Sequence, residues 1–461
     1  MSAGLSLRPA RVSVTSEIWG LSMEIRDPLH GSMYFSENEV AILDTSEFQR
    51  LRAIKQLGFS EFSFPGATHN RYIHSLGVAH VAGQIFDSIF KAFPFKNNAT
   101  KMRMRQVVRL ASLLHDSGHG PLSHTTELVM PPVEDLKVGL YNRIPEPLRT
   151  DCYSGRRATH EDYTIKYLTD SGISECLKVH FPEIAPENVA ALIDNRIPLL
   201  DDFFVDSGIC FRPLLSQIVS SELDSDRLDY LERDSYFCGT DYGRIDSEWL
   251  IQNMTFQVDN GQMYLAINKR ALYSFDDFLI SRHHMHLMVY FHHKSIVYEE
   301  MLNRYLSGPD CTFRLPGDIA EYTKYNDYKL HEHLATSTND WARRIAQRRP
   351  YRVLLELHNT AENPRVEQAK KWLESKGLSV IWASSRARLS KYHSAPPNAL
   401  VFPIYVKDQY DIWEQPTPID QSTEIFKKYE RARIIDRLYV KPEEFLLGQT
   451  LVNEQLGSTH A

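Results

Sequence analysis

The sequence is poor in cysteine, and its few thiols follow no structural pattern. Its 461 residues include only five cysteines, an odd number, and none forms a Cys-x-x-Cys pair. A disulfide framework and a zinc knuckle are therefore excluded, since both need paired cysteines. Scattered thiols are typical of reduced proteins, so we predict a cytoplasmic location.

Long apolar runs and an excess of basic charge are also missing. No run approaches the length of a membrane span, so we expect no membrane partner. Residues 1–20 lack the apolar core of a signal peptide, and we interpret them as a flexible leader. The net charge of −7 disfavours nonspecific binding to nucleic acid but leaves a local basic groove open.

The signatures of several enzyme classes are absent too. The chain has no Walker loop, no Gly-x-Gly-x-x-Gly turn and no serine nucleophile elbow, which counts against kinases, P-loop proteins and dehydrogenases. Helical periodicity dominates the first two thirds, and strand-like runs follow Pro316. We predict a mainly α fold with a helical core at residues 21–310, a smaller α+β lobe at 311–445 and a tail at 446–461.

Titratable side chains are concentrated between Arg109 and His124. An apolar helical run ends in the adjacent pair His115-Asp116, and glycines and a proline then turn the chain past His119. Imidazole and carboxylate together suit a divalent ion such as Zn, Mn, Fe or Ni. The pair alone is weak evidence, because a capping aspartate beside a structural histidine has the same pattern.

A second helix places Asp226, Tyr230 and Asp234 on one face, because they recur every four residues. One interpretation is a metal ligand, Asp226, above an aromatic platform, Tyr230. The other is a surface helix with an ion pair between Asp229 and Arg233. Spacing alone does not separate the two.

Three other segments have functional interpretations. A helix predicted over residues 48–57 is basic on one side, which is either a solvated face or a phosphate-binding face. Residues 128–158 carry several prolines and arginines and are predicted to form a long loop or lid. Residues 271–304 are predicted to be one long helical segment with a run of histidines, some exposed and some facing a substrate pocket.

The order His74, His115-Asp116, Asp226 matches the metal-binding signature of the HD phosphohydrolase superfamily. A longer chain of motifs resembles the dNTP triphosphohydrolases of that superfamily, which include the SAM-and-HD-domain dNTPases and their bacterial relatives. These motifs are Asp27–Gly31, Phe48–Arg52, Lys55–Leu57, Phe64–Ala67, His69–Arg71, His74–Gly77, His115–His124 and Asp226–Tyr230. We see no SAM domain ahead of them.

This resemblance implies an HD-domain helical core that hydrolyses a dNTP to deoxynucleoside and inorganic triphosphate. The implied ligands of a divalent metal ion (Mn, Mg, Fe, Zn or Ni) are His74, His115, Asp116 and Asp226. The implied catalytic residues are His119, His124, Glu127 and His160. The implied substrate-binding residues are Gln56, Leu57, Arg71, Arg227, Tyr230, Asp234, Arg282 and Tyr290.

Within these sets the resemblance also implies individual roles. His124 is the expected general acid, since the histidine side chain can donate a proton near neutral pH, and Glu127 is expected to orient it. Arg71 and Arg227, with His119 or His160, are expected to clamp the triphosphate. Gln56 and Asp234 are expected to bond the 3′-hydroxyl, Leu57 and Tyr290 to exclude ribose, and Tyr230 to pack on the sugar.

Regulation follows from the same resemblance. Many relatives are homotetramers switched on by nucleotide, so we expect a dimer or tetramer with a GTP or dNTP activator. The implied activator-binding residues are Asp44, Gln49 and Arg52. Met23 stands where the pattern has Lys, and Arg26 is a hypothetical substitute for that charge.

Other positions depart from the family pattern. Arg227 replaces the usual Lys, Glu127 a frequent Asp, and Phe291 a Gln found in some relatives. Two alternatives stay open: an HD enzyme acting on another nucleotide phosphate ester, and a nucleotide-sensing or single-strand nucleic-acid-binding protein with a vestigial metal site.

Overall fold

The computed structural model describes residues 22–199, 201–387, 402–411, 413–428 and 432–459. The predicted leader lies outside the described residues. Among these residues helices predominate, and the strands form three small sheets. The predicted fold class, a helical core with a smaller α+β lobe, is confirmed.

Helices account for most of the core. They are α1 (Glu37–Leu43), α2 (Ser46–Gln49), α3 (Arg71–Ile89), α4 (Asn98–Leu114), α5 (Glu146–Tyr153), α6 (His160–Thr169), α7 (Gly172–His180), α8 (Pro186–Ile193), α9 (Arg212–Val219), α10 (Ser225–Cys238), α11 (Ser247–Gln252), α12 (Leu272–Met285), α13 (His293–Ser307), α14 (Ile319–Tyr322), α15 (Asp327–Thr336), α16 (Asp340–Ala346), α17 (Pro364–Ser375), α18 (Ile419–Ser422), α19 (Ile425–Lys428) and α20 (Phe445–Thr459). Within the described ranges, no helix combines the length and apolarity that a membrane span needs.

The strands are short. They are β1 (Ser22–Asp27), β2 (Gly31–Ser36), β3 (Val205–Asp206), β4 (Ile209–Cys210), β5 (Met254–Asp259), β6 (Gln262–Asn268), β7 (Arg352–Asn359), β8 (Val380–Ala387), β9 (Tyr405–Lys407), β10 (Thr417–Pro418) and β11 (Arg433–Val440). β1 and β2 form a hairpin, and a mixed sheet has the order β10-β9-β6-β4-β3 with β5 paired to β6. β9 runs parallel to β6, so the chain returns from the lobe to the helical core.

The C-terminal lobe is built on the antiparallel sheet β7-β11-β8. A small apolar cluster joins this sheet to α17, and residues of α20 pack against the same cluster. Its buried members are Val366, Leu373, Leu378, Leu438 and Val440. α20 occupies most of the stretch that was predicted to be a tail.

Helix α3 is the centre of the core. The side chain of Asn70 caps its first turn by accepting a hydrogen bond from the backbone N–H of Ile73, 3.2 Å away. The helix is buried on nearly all sides, which is typical of a helix enclosed by others. It packs on α4 and α10, and these three helices carry the predicted metal ligands.

The helix predicted over residues 48–57 is wrong beyond Gln49. The chain continues as a 3-10 turn, Arg50–Ala53, and Ile54 is extended. Arg50 is buried and donates hydrogen bonds to the carbonyl oxygens of Ser117, His119 and Tyr325. Arg50 therefore braces the turn after His115-Asp116 and is not free to bind phosphate, whereas Arg52 is exposed.

Two other predicted segments are subdivided. Residues 128–158 hold short 3-10 turns and α5, and Arg156 in this segment pairs with Asp162 of α6 at 2.6 Å. The long helix predicted over 271–304 breaks into α12, a π turn at His286–Tyr290, and α13. The break turns Tyr290 toward a cavity that we describe below.

Gly77 lies where α3 meets α10, and a Cβ atom there would collide with the carboxylate of Asp229. We predict that Gly77→Ala lowers the free energy of unfolding by about 1–3 kcal/mol, because a closely packed contact must separate. Chemical denaturation measures this change. Gly139→Ala, where a Cβ would meet nothing within 4 Å, is the control, and equal effects of the two substitutions would contradict the packing.

Candidate metal and catalytic site

Four predicted metal ligands converge from three helices. His74 lies in the first turn of α3, His115 and Asp116 follow the end of α4, and Asp226 lies in the first turn of α10. The Oδ1 atom of Asp226 is 3.0 Å from Nε2 of His74 and 3.5 Å from Nε2 of His115. Ligand atoms of His74, His115 and Asp116 all lie within 4.8 Å of one another.

The donor set fits a divalent metal ion. Among the described residues, the buried Nε2 atoms of His74 and His115 have no hydrogen-bond partner, although two carboxylates lie beside them. The Nδ1 atom of His115 donates to the carbonyl oxygen of Ser112 at 2.8 Å. This bond leaves the lone pair of the His115 imidazole on Nε2, where a metal ion would bind.

Asp229 orients His74 in the same way. Its Oδ2 atom is 2.8 Å from Nδ1 of His74, and it also binds His30 and Arg233. Arg233 reaches Asp27 at 2.9 Å, so α10 is tied to the hairpin. The interpretation of α10 as a surface helix with an Asp229–Arg233 ion pair is wrong in its exposure: the ion pair forms at 2.8 Å, but both side chains are fully buried.

The electrostatics of this cluster favour a positive charge. Burial lowers the pKa of His74, but the adjacent carboxylates of Asp226 and Asp229 outweigh burial and raise that pKa to about 10. Burial raises the pKa of Asp229, but the Arg233 guanidinium brings it well below its usual range. Asp229 is therefore ionised, and its charge favours a proton or a metal ion on His74.

A second cluster adjoins the first and contains all four predicted catalytic residues. Glu127 Oε1 lies 3.0 Å from Nδ1 of His124 and 2.5 Å from Nδ1 of His160. The rings of His119 and His160 stack at 3.8 Å, and Nε2 of His119 is 3.3 Å from Asp116. The structure thus places His119 between the two clusters.

The groups of this second cluster differ in charge and exposure. Burial raises the pKa of Glu127, but hydrogen bonds from His124 and His160 lower it to about 2. Burial, with the nearby Arg71, holds the pKa of His119 well below its usual range. The side chain of His124 is 67% exposed, so this ring can reach a ligand and exchange a proton.

The predicted substrate-binding arginines lie in two places. Arg71 forms an ion pair with Asp116 and donates to the hydroxyl of Ser123 at 2.9 Å. Arg227 and Arg282 are 3.2 and 2.7 Å from Glu222, which is buried between them. The sequence did not single out Glu222, because an acidic residue before a helix usually signals only a cap.

Three of the five predicted sugar-binding residues line a cavity of about 700 Å³, whereas Tyr230 and Asp234 are not among its lining residues. Gln56, Leu57 and Tyr290 line it together with His124. The hydroxyl of Tyr290 donates to Asp234 at 2.8 Å, and the other oxygen of Asp234 is 2.8 Å from Nε2 of His69. The rings of Tyr230 and Tyr290 meet edge to face at 6.4 Å.

The predicted activator-binding residues lie in a different cavity, of about 410 Å³. Asp44, Gln49 and Arg52 line it, and so do Met23 and Arg26. Nε of Arg52 donates to Gln49 at 2.7 Å, and its guanidinium lies 3.6 Å from the centre of the Tyr72 ring.

Two family models match the chain: residues 71–195 match the HD domain, and residues 245–376 match the HD associated region. The chain therefore contains an HD domain. The HD match contains His74, His115 and Asp116, and the predicted resemblance to HD dNTPase-like proteins is confirmed.

Relatives of this HD-domain protein include proteins named as dNTPases and uncharacterized ones. It is 33% identical over 274 residues to the Uncharacterized protein MG461 homolog of Mycoplasma pneumoniae, covering 59% of this chain and 56% of the relative. It is 26% identical over 371 residues to Deoxynucleoside triphosphate triphosphohydrolase SAMHD1 of Gallus gallus, covering 75% and 57%. The alignments thus span little more than half of these relatives.

A solved structure supports the fold over nearly the whole chain. A hypothetical protein from Aquifex aeolicus superposes with a TM-score of 0.70 at 26% identity. The superposition covers 93% of this chain and 99% of that chain. The architecture of the HD-domain protein therefore recurs in a solved structure.

The bond from Asp229 to His74 predicts a defect in metal binding. We expect Asp229→Asn to weaken Mn²⁺ binding about 10–100-fold, because an oriented histidine is a better ligand. Isothermal titration with Mn²⁺ measures this, with circular dichroism to verify folding. Asp87→Asn is the control, because it removes an exposed ion pair on α3, the helix that carries His74. Unchanged affinity in Asp229→Asn would refute the role.

Proposed function

We propose that this HD-domain protein is a metal-dependent phosphohydrolase that converts dNTPs to deoxynucleosides and inorganic triphosphate. One observation carries the proposal: the metal cluster, the histidine cluster and the cavity adjoin one another. The four-residue metal cluster adjoins the histidine cluster through His119, and His124 of that cluster lines the cavity that holds Gln56 and Tyr290. The HD domain supports the hydrolase class, and the relatives named as dNTP triphosphohydrolases support the substrate.

The chain's own residues account for each part of this reaction. A divalent ion held by His74, His115, Asp116 and Asp226 would polarise the α-phosphate and lower the pKa of attacking water. Arg71, at Asp116, supplies a fixed positive charge for the phosphate oxygens. It is itself buried, so its guanidinium does not have to be ordered when substrate binds.

His124 supplies the proton that the leaving group requires. Water attacks the α-phosphorus, the bond to the 5′-oxygen breaks, and that oxygen takes a proton. Glu127 accepts the hydrogen bond from Nδ1 of His124, which leaves Nε2 to present the proton. His160 shares the same carboxylate and stabilises its charge.

Tyr290 supplies discrimination against ribose. Its hydroxyl is fixed on Asp234, so the ring cannot move aside for a 2′-hydroxyl without losing that bond. Leu57 lines the same cavity and offers the 2′ position no hydrogen-bond partner. A deoxyribose therefore fits where a ribose leaves a polar group unsatisfied.

The proposal predicts a specific product pattern. Purified protein with Mn²⁺ should release inorganic triphosphate and deoxynucleoside from dNTPs, and far less from rNTPs. Chelation or His115→Ala should abolish both products, whereas His284→Ala, an exposed histidine of α12, should retain them. Phosphorus NMR and chromatography identify the products. Absence of triphosphate from a protein that binds Mn²⁺ would favour another phosphate ester or the sensor function.

We also propose that nucleotide activates a homo-oligomer at the Asp44, Gln49 and Arg52 cavity. Because Arg26 lines that cavity, it can provide the charge that Met23 does not. We predict that Arg26→Ala reduces the stimulation of dNTP hydrolysis by GTP at least tenfold and leaves the unstimulated rate unchanged. Arg386→Ala, an exposed arginine of β8, is the control. Equal stimulation in wild type and Arg26→Ala would disprove this role.

A further inference from the structure

The cavity that holds His124 and Tyr290 extends beyond the predicted contacts to the sugar. One side of α13 forms a wall of this cavity. The residues on that wall are Ile296, Glu299, Asn303 and Ser307. Intervals of three and four residues place them on one face of the helix. None of them has a role in metal, phosphate or sugar binding as derived above.

Two polar side chains on this wall lack partners. Within the part of the chain that the structure describes, neither Glu299 nor Asn303 has a side-chain hydrogen bond or ion pair. Burial, together with neighbouring Glu300, raises the pKa of Glu299 to about 7. A carboxyl group in a cavity without a protein partner is available to a ligand that supplies hydrogen-bond donors.

Apolar side chains also line this cavity. They include Leu57, Leu128 and Phe291, beside polar residues such as Ser60 and His286. Apolar and aromatic walls with a few polar groups suit a planar heteroaromatic ring, which stacks on its faces and hydrogen-bonds at its edge. Gln56 and Tyr290, the proposed sugar contacts, line the same cavity as the α13 residues, so a base attached to that sugar would share the cavity with them.

We propose that the α13 end of the cavity binds the nucleobase and that Glu299 selects guanine. Guanine presents two adjacent donors, N1–H and the 2-amino group, which match the two oxygens of one carboxylate. Thymine presents a single N–H between two carbonyl oxygens, which a carboxylate repels. Asn303, one turn along, offers an amide for the remaining edge. This inference rests on the proposed function for the position of the sugar.

Binding of deoxynucleosides tests the inference without any hydrolysis. Isothermal titration of the full chain with deoxyguanosine and with thymidine, at about pH 8.5 so that a carboxyl of raised pKa is ionised, gives two affinities. We expect wild type to prefer deoxyguanosine about tenfold, the discrimination typical of one two-point contact to a base. Glu299→Gln should abolish the preference, and Glu300→Gln, a neighbour that does not line the cavity, should retain it.

Glu299→Asp is a second variant. It keeps the negative charge on a side chain that is one methylene shorter, and we expect a preference for deoxyguanosine between those of wild type and Glu299→Gln. If wild type, Glu299→Gln and Glu299→Asp all gave the same ratio of deoxyguanosine to thymidine affinity, the inference would be overturned, even if dNTPs are hydrolysed. Conversely, a guanine preference that depends on Glu299 would support the base site even if no triphosphate is released. Failure of the inference and failure of the proposed function are therefore distinguishable.

Discussion

Asp229 lies at the contact of α3 and α10 with no exposed side-chain surface, and its two oxygens bind His30, His74 and Arg233. A buried ionic pair is strongly destabilising when one partner is missing, by about 3–5 kcal/mol. Packing of the hairpin, α3 and α10 must therefore be complete before this carboxylate is satisfied. The same contact fixes the ring of His74, so assembly of the core and orientation of a metal ligand depend on one side chain.

Carboxylates shared between two partners recur in the helical core. Glu127 joins His124 to His160, Glu222 joins Arg227 to Arg282, and Asp234 joins His69 to Tyr290. In each case one acid positions two groups, which restricts their rotamers before a ligand arrives. Such preorganisation is what electrostatic stabilisation of a phosphate reaction requires, because no group has to reorient during the chemical step.

The residues that form the metal cluster could be predicted from short motifs, since each motif keeps its functional side chains a few positions apart. The motifs place His74, the His115-Asp116 pair and Asp226 in one signature, and the structure brings these side chains together. Spacing could not predict which faces of the helices are buried. The Asp229–Arg233 pair looks like an exposed pair along one helix, and only packing against α3 buries it.

Long-range contacts explain the other differences. The predicted helix ends before Arg50, whose guanidinium donates hydrogen bonds to three backbone carbonyl groups, one of them at Tyr325. The π turn at His286–Tyr290 likewise interrupts an otherwise helical pattern and sets Tyr290 on Asp234. Neither partner is near in sequence, so no local pattern carries this information.

Hydrolysis of a dNTP in ¹⁸O-labelled water tests the central claim most directly, because it reports which bond the assembled site breaks. Attack of water on the α-phosphorus, with the proton going to the 5′-oxygen, predicts one ¹⁸O atom in the inorganic triphosphate and none in the deoxynucleoside, as read by mass spectrometry. Label in the deoxynucleoside, or label in phosphate or pyrophosphate without triphosphate, would contradict the account.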